Sequence, residues 1–314
     1  MNSKNIDKLI TEALAIEVEA AKEAGAIGYM ARAMVQATMP HSKVNGNEFS
    51  RTNGLFTLTI LASSKIGLPY GTIPRLLLAW ISTEAVKKKD RNLTLGRTLS
   101  AFMTELDLIP TGGRWGSISR LKDQMTRLFS ASISCTYDDG NHWAIQNINP
   151  VSKANLWWNP KQPNQATLFE STLTLNEEFF KEITNHPIPI DIRALKALKR
   201  SPLALDIYCW LTYRLSYLRN ATTIPWTALQ LQFGSNYATD QQGVRNFKKA
   251  FLRELKKVTL FCQQTKLESL ENGLSIKPSS VIKADKVRPS VKFRSFFLTA
   301  SVEIQARRRR GIVP

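Results

Sequence analysis

Cysteine and histidine are scarce in this sequence, and their scarcity narrows the chemistry before any motif is read. Three of each occur in 314 residues. Cys135, Cys209 and Cys262 are odd in number and far apart, so they form neither a disulfide framework nor a CxxC metal site. Buried thiols in a reducing compartment are the expectation. His41, His142 and His186 are isolated, and His142 with Cys135 across an expected hairpin gives two ligands, too few for zinc. Metal and cofactor are therefore not expected. The GxxxxGK motif followed by Ser or Thr is missing, so ATP hydrolysis is not expected. Nor do carboxylates or histidines cluster as a nuclease or relaxase metal site needs, so no catalytic residue is assigned and the chain reads as a non-enzyme.

Long apolar runs are missing as well. No stretch approaches the roughly 18 to 20 apolar residues that span a bilayer, and Asp7, Glu12, Glu17 and Glu19 break up any signal-peptide core. The expectation is a cytoplasmic protein with no membrane partner. Acidic residues fall short of basic ones, 25 against 43, for a net charge of +18. An excess of this size over a whole chain points to a polyanion, and with membrane set aside, to nucleic acid.

With 43% hydrophobic side chains the chain can bury the cores of two domains. Asn5 to Met34 is Ala-rich and carries Ile6, Leu9, Ala13, Ile16, Ala20, Ile27 and Met34 near a helical stripe, the pattern of an arm that either oligomerises or packs on its neighbour. Pro40 to Gly54 reads as a linker.

A first set of elements then begins at Leu55. A helix opens at Thr72-Ile-Pro74, a short strand spans Asn92 to Leu95, and a second helix lies within Arg97 to Leu106. After a Gly-rich turn, a third helix runs from Ser117 to Phe129, burying Ile118, Leu121, Met125, Leu128 and Phe129. A hairpin, Ser132 to Tyr137 and His142 to Asn147, turns at Gly140. Further on, Ala166 to Leu175 reads as a strand, Asn176 to Ile183 as a helix, and His186-Pro-Ile-Pro189 as its stop.

The order then recurs. Ser201-Pro202 opens a helix, Ala221 to Ile224 is a strand, Pro225 to Gln232 a second helix and Gln241 to Val258 a third, followed by a hairpin over Lys266 to Lys277 turning at Asn272-Gly273. The expected fold is α+β, mainly α: two tandem winged-helix domains with an N-terminal helical arm and a basic C-terminal tail. The boundaries are 1–54 for arm and linker, 55–187 and 188–280 for the two domains, and 281–314 for the tail. That tail holds Lys283, Lys286, Arg288, Lys292, Arg294 and Arg307 to Arg310 against Asp285 and Glu303.

Third helices of this order enter the major groove, where Arg bonds guanine and Asn bonds adenine by paired hydrogen bonds. Arg120 and Arg127 are expected at base edges or phosphates, with Asp123 accepting from cytosine or orienting a neighbouring Arg. Arg114, Ser117 and Ser119, at the amino end, suit phosphate. In the second repeat Asn246, Lys249 and Arg253 are central and Arg245, Lys256 and Lys257 flank them. Trp157-Trp158 is expected to pack an apolar edge, with stacking on unpaired bases as the alternative.

Six phrases carry a family resemblance. LPYGTIPRLLLAWISTEAV, LGRTLSAFMTEL and TGGRWGSISRLKDQMTRLFSA stand in the first repeat, and IPIDIRALKALKRSPLALDIYCWLTYRL, IPWTALQLQFG and FKKAFLREL in the second. They resemble the plasmid replication initiators called RepA. The resemblance implies a protein that binds direct repeats, or iterons, in double-stranded DNA at a plasmid origin, helps open adjacent AT-rich DNA, and recruits a host replication initiator and helicase. It also implies a homodimer that represses its own promoter. A winged-helix regulator on an inverted-repeat operator is the alternative left open by the residues themselves.

Overall fold

The computed structural model describes residues 3–18, 21, 23–234, 236–262 and 265–279. The basic tail from Val281 falls outside them. Helix α1 (Ser3–Val18) is followed by strand β1 (Ile27–Ala31) and the short helix α2 (Arg32–Gln36). The helical reading of Asn5 to Met34 therefore holds only for its first half. Two glycines explain the change: Gly25 sits at a φ of +63°, which a helix does not allow, and a Cβ on Gly28 would collide with the side chain of Ile192.

The expected linker also holds a strand. β2 (Glu48–Asn53) pairs with β3 (Phe56–Leu61) across Gly54, whose φ of +63° suits the first position of a two-residue hairpin loop. Phe56, Leu58 and Ile60 alternate inward, as a half-buried strand requires.

The first repeat comprises α3 (Thr72–Lys88), β4 (Asn92–Gly96), α4 (Leu99–Glu105), α5 (Ser117–Ser130), β5 (Ser132–Asp138), β6 (Trp143–Asn147), β7 (Val151–Asn155), β8 (Ser171–Leu175) and α6 (Glu177–Asn185). Thr98 and Asn176 cap α4 and α6 by accepting from the backbone of Ala101 and Glu178, contacts each worth about 1 kcal/mol. The hairpin β5–β6 turns at Gly140 as expected. It extends the β2–β3 hairpin into a sheet ordered β2-β3-β5-β6, whereas β4 pairs with β8 in a second sheet ordered β4-β8-β7. Strand β7 and this closing role escaped the sequence reading.

Next come β9 (Pro187–Asp191) and α7 (Ile192–Leu198). The His186-Pro-Ile-Pro189 stretch does end α6, and then forms β9, antiparallel to β1. Two prolines fit here because a two-stranded ribbon leaves outward N–H positions unpaired. The second repeat runs α8 (Pro202–Tyr217), β10 (Thr222–Pro225), α9 (Trp226–Phe233), α10 (Gln241–Val258), β11 (Lys266–Ser269) and β12 (Gly273–Lys277), with a 3-10 turn at Thr259–Phe261. Its sheet is ordered β10-β12-β11. This is the first repeat's order again: the strand after the first helix pairs with the last strand of the hairpin.

Buried side chains from both repeats form one continuous cluster. In the first, Trp80 meets Phe102 edge-on and Trp158 stacks on it, both with ring centroids 5.1 Å apart. In the second, Trp210, Trp226, Phe233 and Phe247 surround Phe251. Each of the fully buried rings, Phe102, Phe233, Phe247 and Phe251, stabilises the fold by about 1.5–3 kcal/mol. Where the repeats meet, Arg75 of α3 holds Asp206 of α8; Arg32 of α2 ties the amino-terminal segment to the first repeat, pairing with Glu182 of α6 at 3.3 Å. The chain is thus a mixed α and β structure in which two like-ordered repeats share a seam.

Candidate nucleic-acid interface

Helix α5 is strongly two-sided. Ile118, Leu121, Gln124, Met125 and Leu128 face the core, while Arg120, Lys122, Asp123 and Thr126 face solvent. Arg127 is largely buried, with 15% of its side chain exposed. Its Nε donates to Asp123 Oδ2 at 2.8 Å, one NH2 group reaches the Leu68 carbonyl at 3.4 Å, and its guanidinium lies 5.5 Å from the Tyr70 ring centre. Asp123 therefore takes the orienting role allowed for it, and Arg127 is a brace for the loop before α3. Lys122, which the sequence reading passed over, shares the exposed face with Arg120.

At the amino end of α5 the serines are already engaged. Ser117 is buried; its Oγ donates to the Ile109 carbonyl at 2.6 Å and accepts from Thr111 N at 2.9 Å. Ser119 Oγ donates to the Gly113 carbonyl at 2.8 Å. Both hydroxyls shape the 107–116 turn, leaving Arg114 as the exposed group there, its guanidinium 5.1 Å from the exposed Trp115 ring.

The second repeat repeats the division. α10 begins at Asp240, whose Oδ1 accepts from Gly243 N at 2.6 Å, and buries Phe247, Ala250, Phe251, Leu255 and Val258. Arg245, Asn246, Lys249, Arg253 and Lys256 are exposed. Asn246 Oδ1 accepts from Gln242 at 3.0 Å. Lys257 is held inward by Glu254 at 2.6 Å, and Arg253 Nε reaches the same carboxylate at 3.0 Å while keeping 62% of its side chain exposed. Burial alone would raise the Glu254 pKa, but the hydrogen bonds from Lys257 and Arg253 bring it below the usual carboxylate value. Lys248, on the inner flank, donates to the Leu270 carbonyl at 3.0 Å and lies over Trp226.

Asn246, Lys249, Arg253 and Lys256 line one side of a groove of about 1040 Å³. Leu267 and Ser269 of β11 line another part, and Ile6 and Leu9 of α1 a third. The amino-terminal helix thus borders the basic face of α10, a placement with no signal in the sequence beyond its apolar stripe.

The expected thiols are present at Cys135, Cys209 and Cys262, and burial pushes Cys262 up to about 12. Cys135 stands opposite Gln146, away from His142. Among the described residues no three metal-ligating side chains gather, and no helix is long and apolar enough to cross a membrane. Of the tryptophan pair, Trp158 packs inward as expected, whereas Trp157 is exposed.

A family model described as plasmid-encoded RepA protein matches residues 68–228, from the loop before α3 to the first turn of α9. Among solved structures, a crystal structure of selenomethionine derivatives of domains 2 and 3 of RctB aligns with a TM-score of 0.53 at 12% identity, covering 79% of this chain and 99% of that one. Another crystal structure of RctB domains 2–3 gives 0.48 at 12% identity, over 79% and 96% of the two chains. No curated protein matches the sequence. At such identity the RctB likeness concerns the fold.

Proposed function

The chain belongs to the plasmid-encoded RepA family of replication initiators, and from that membership we propose that it binds direct repeats at a plasmid origin through α5 and α10. Each repeat is read as a winged-helix unit, with α5 and α10 as recognition helices in successive major grooves about 34 Å apart. One protomer then covers roughly 20 base pairs, asymmetrically. Opening of adjacent DNA, recruitment of a host initiator and helicase, repression as a homodimer, and the lack of an enzymatic step complete the proposal.

The observation that carries it is the shared sheet order, β4-β8-β7 and β10-β12-β11, each flanked by an amphipathic helix with a basic outer face. Two such faces in one chain suit a long duplex site, and the +18 charge supplies attraction for phosphates.

The test is selection of duplex ligands from random and plasmid-origin pools, followed by footprinting of the winners. Protection of tandem direct repeats, each about two turns long, is the expected result. An inverted repeat points instead to a regulator, and no enrichment to an unselective binder.

A further inference from the structure

The two like-ordered sheets end differently. In the second repeat β11 and β12 are joined by Leu270 to Asn272, a turn drawn down by Trp226 Nε1 and Lys248 Nζ, which donate to the Leu270 carbonyl at 3.1 and 3.0 Å. In the first repeat β7 and β8 are joined by the much longer segment 156–170.

That segment is held in place along its length. Trp158 stacks on Phe102 and its Nε1 donates to the Gly96 carbonyl at 3.2 Å. Ser100 N donates to the Pro163 carbonyl at 3.0 Å, Thr167 N donates to the Arg97 carbonyl at 3.1 Å, and the Thr167 hydroxyl donates to the Phe169 carbonyl at 2.7 Å. Trp157 N donates to Oγ of the buried Ser171 at 3.0 Å. Pro160 and Pro163 add fixed backbone angles.

What this anchoring presents is apolar. Trp157 and Phe169 are 54% and 57% exposed, their rings 5.3 Å apart and inclined by 47°, with Leu156 and Leu168 also exposed. Apolar side chains held outward together mark a binding surface. The surrounding charge selects the ligand. Lys153 on β7, Lys161 in the segment and Arg97, whose carbonyl accepts from Thr167, are all exposed, and Glu170 is 3.6 Å from Arg97. Aromatic faces beside cations fit unpaired bases and their phosphates, since every base has a face to stack and every linkage a charge to meet.

We propose that Trp157 and Phe169 form a platform for single-stranded DNA, with Arg97, Lys153 and Lys161 along its backbone. The choice of DNA over RNA rests on the origin-binding reading; the platform itself does not. Anchoring by Trp158, Thr167 and Ser171 fixes the platform before the strand arrives, so little ordering is left to binding.

The test uses the full chain, a dye-labelled oligothymidylate of about 16 nucleotides, an oligouridylate of the same length and a duplex, all read by fluorescence anisotropy. Trp157→Ala with Phe169→Ala is expected to weaken oligothymidylate binding at least about tenfold while duplex affinity stays within about twofold. Lys153→Glu with Lys161→Glu, which leaves the aromatic packing untouched, is expected to weaken the same ligand and flatten its salt dependence. Unchanged strand affinity in both variants, an equal loss on duplex, a preference for oligouridylate, or loss of self-association in sedimentation without loss of strand binding each overturns the proposal. A protein that needs this pair for oligothymidylate yet selects no duplex would sink the origin reading and leave the platform standing.

Discussion

Arg75 and Asp206, 131 residues apart, meet in a two-pronged ion pair: Nε to Oδ1 at 2.7 Å and an NH2 group to Oδ2 at 2.6 Å. Each sits near the start of the first helix of its repeat, so the pair joins equivalent helices α3 and α8. The remaining donors of Arg75 go to the carbonyls of Met39 at 2.7 Å, Pro40 at 3.2 Å and Gly71 at 2.6 Å, and His41 Nε2 lies 2.7 Å from Asp206 Oδ2. The guanidinium is thus fully satisfied away from water, the condition under which a buried charge is tolerated.

Removing one partner leaves the other charged and buried. Arg75→Met is expected to cost about 3–5 kcal/mol of stability in urea denaturation, and Arg75→Met with Asp206→Leu to recover part of that loss. A double variant no more stable than the single would contradict this account.

His41 makes the joint sensitive to pH. Burial lowers its pKa below the ordinary 6.5, against the opposing hydrogen bond and charge of Asp206. Between the folded value and 6.5 the unfolded chain binds more protons, so stability rises with pH through that window. The contribution is whole above 6.5 and is lost as pH falls below it. Urea midpoints measured from about pH 5 to about pH 8 should show this limb, and His41→Gln should flatten it.

On α10, Arg253 keeps its head in solvent while Glu254 steadies Nε. As a base reader, Arg253→Ala should lose about 1–3 kcal/mol at one base position of the selected site. Lys256→Ala, at the edge of the same face, should instead weaken all sequences alike and make the slope of log K against log salt shallower by about one.

On α5 the two arginines should separate. Arg120→Ala is expected to lower duplex affinity and leave thermal unfolding unchanged. Arg127→Ala loses the Asp123, Leu68 and Tyr70 contacts and should lower stability by about 1–3 kcal/mol, with a smaller change in duplex affinity.

Gly28 lies where β1 crosses α3 and α7, with Tyr29 N donating to Thr83 Oγ1 at 2.8 Å. Gly28→Val would drive a side chain into Ile192 and Thr83. A loss of about 1–3 kcal/mol is expected from calorimetry.

Helices were the most legible part of the sequence. The α10 bounds, Gln241–Val258, coincide with the periodic apolar pattern, and the caps at Ser201 and Asp240 occupy the positions their side chains favour. Strand pairing was less legible, because alternation reveals a strand and not its neighbour. The β5–β6 hairpin was legible without its sheet, and β7, exposed on most of its length, had no buried alternation to read. The Asn53-Gly54 turn was a visible signal, overlooked because the Ser and Asn around it suggested a linker. Within the candidate interface, residue type identified the basic faces, but only the fold distinguishes the outward Arg120 from the braced Arg127, or the buried Ser117 from an exposed hydroxyl.

The docking of the amino-terminal segment also has a timetable. Arg32 leaves the ribosome 150 residues before Glu182, an interval of roughly 8 to 30 s at about 5–20 residues per second. Until then the Arg32–Glu182 pair cannot form, and β1 waits for β9, which emerges later still. The amino-terminal segment therefore spends the synthesis of the first repeat with an open strand edge, and the nascent chain is most exposed to mispairing before its second repeat begins to appear.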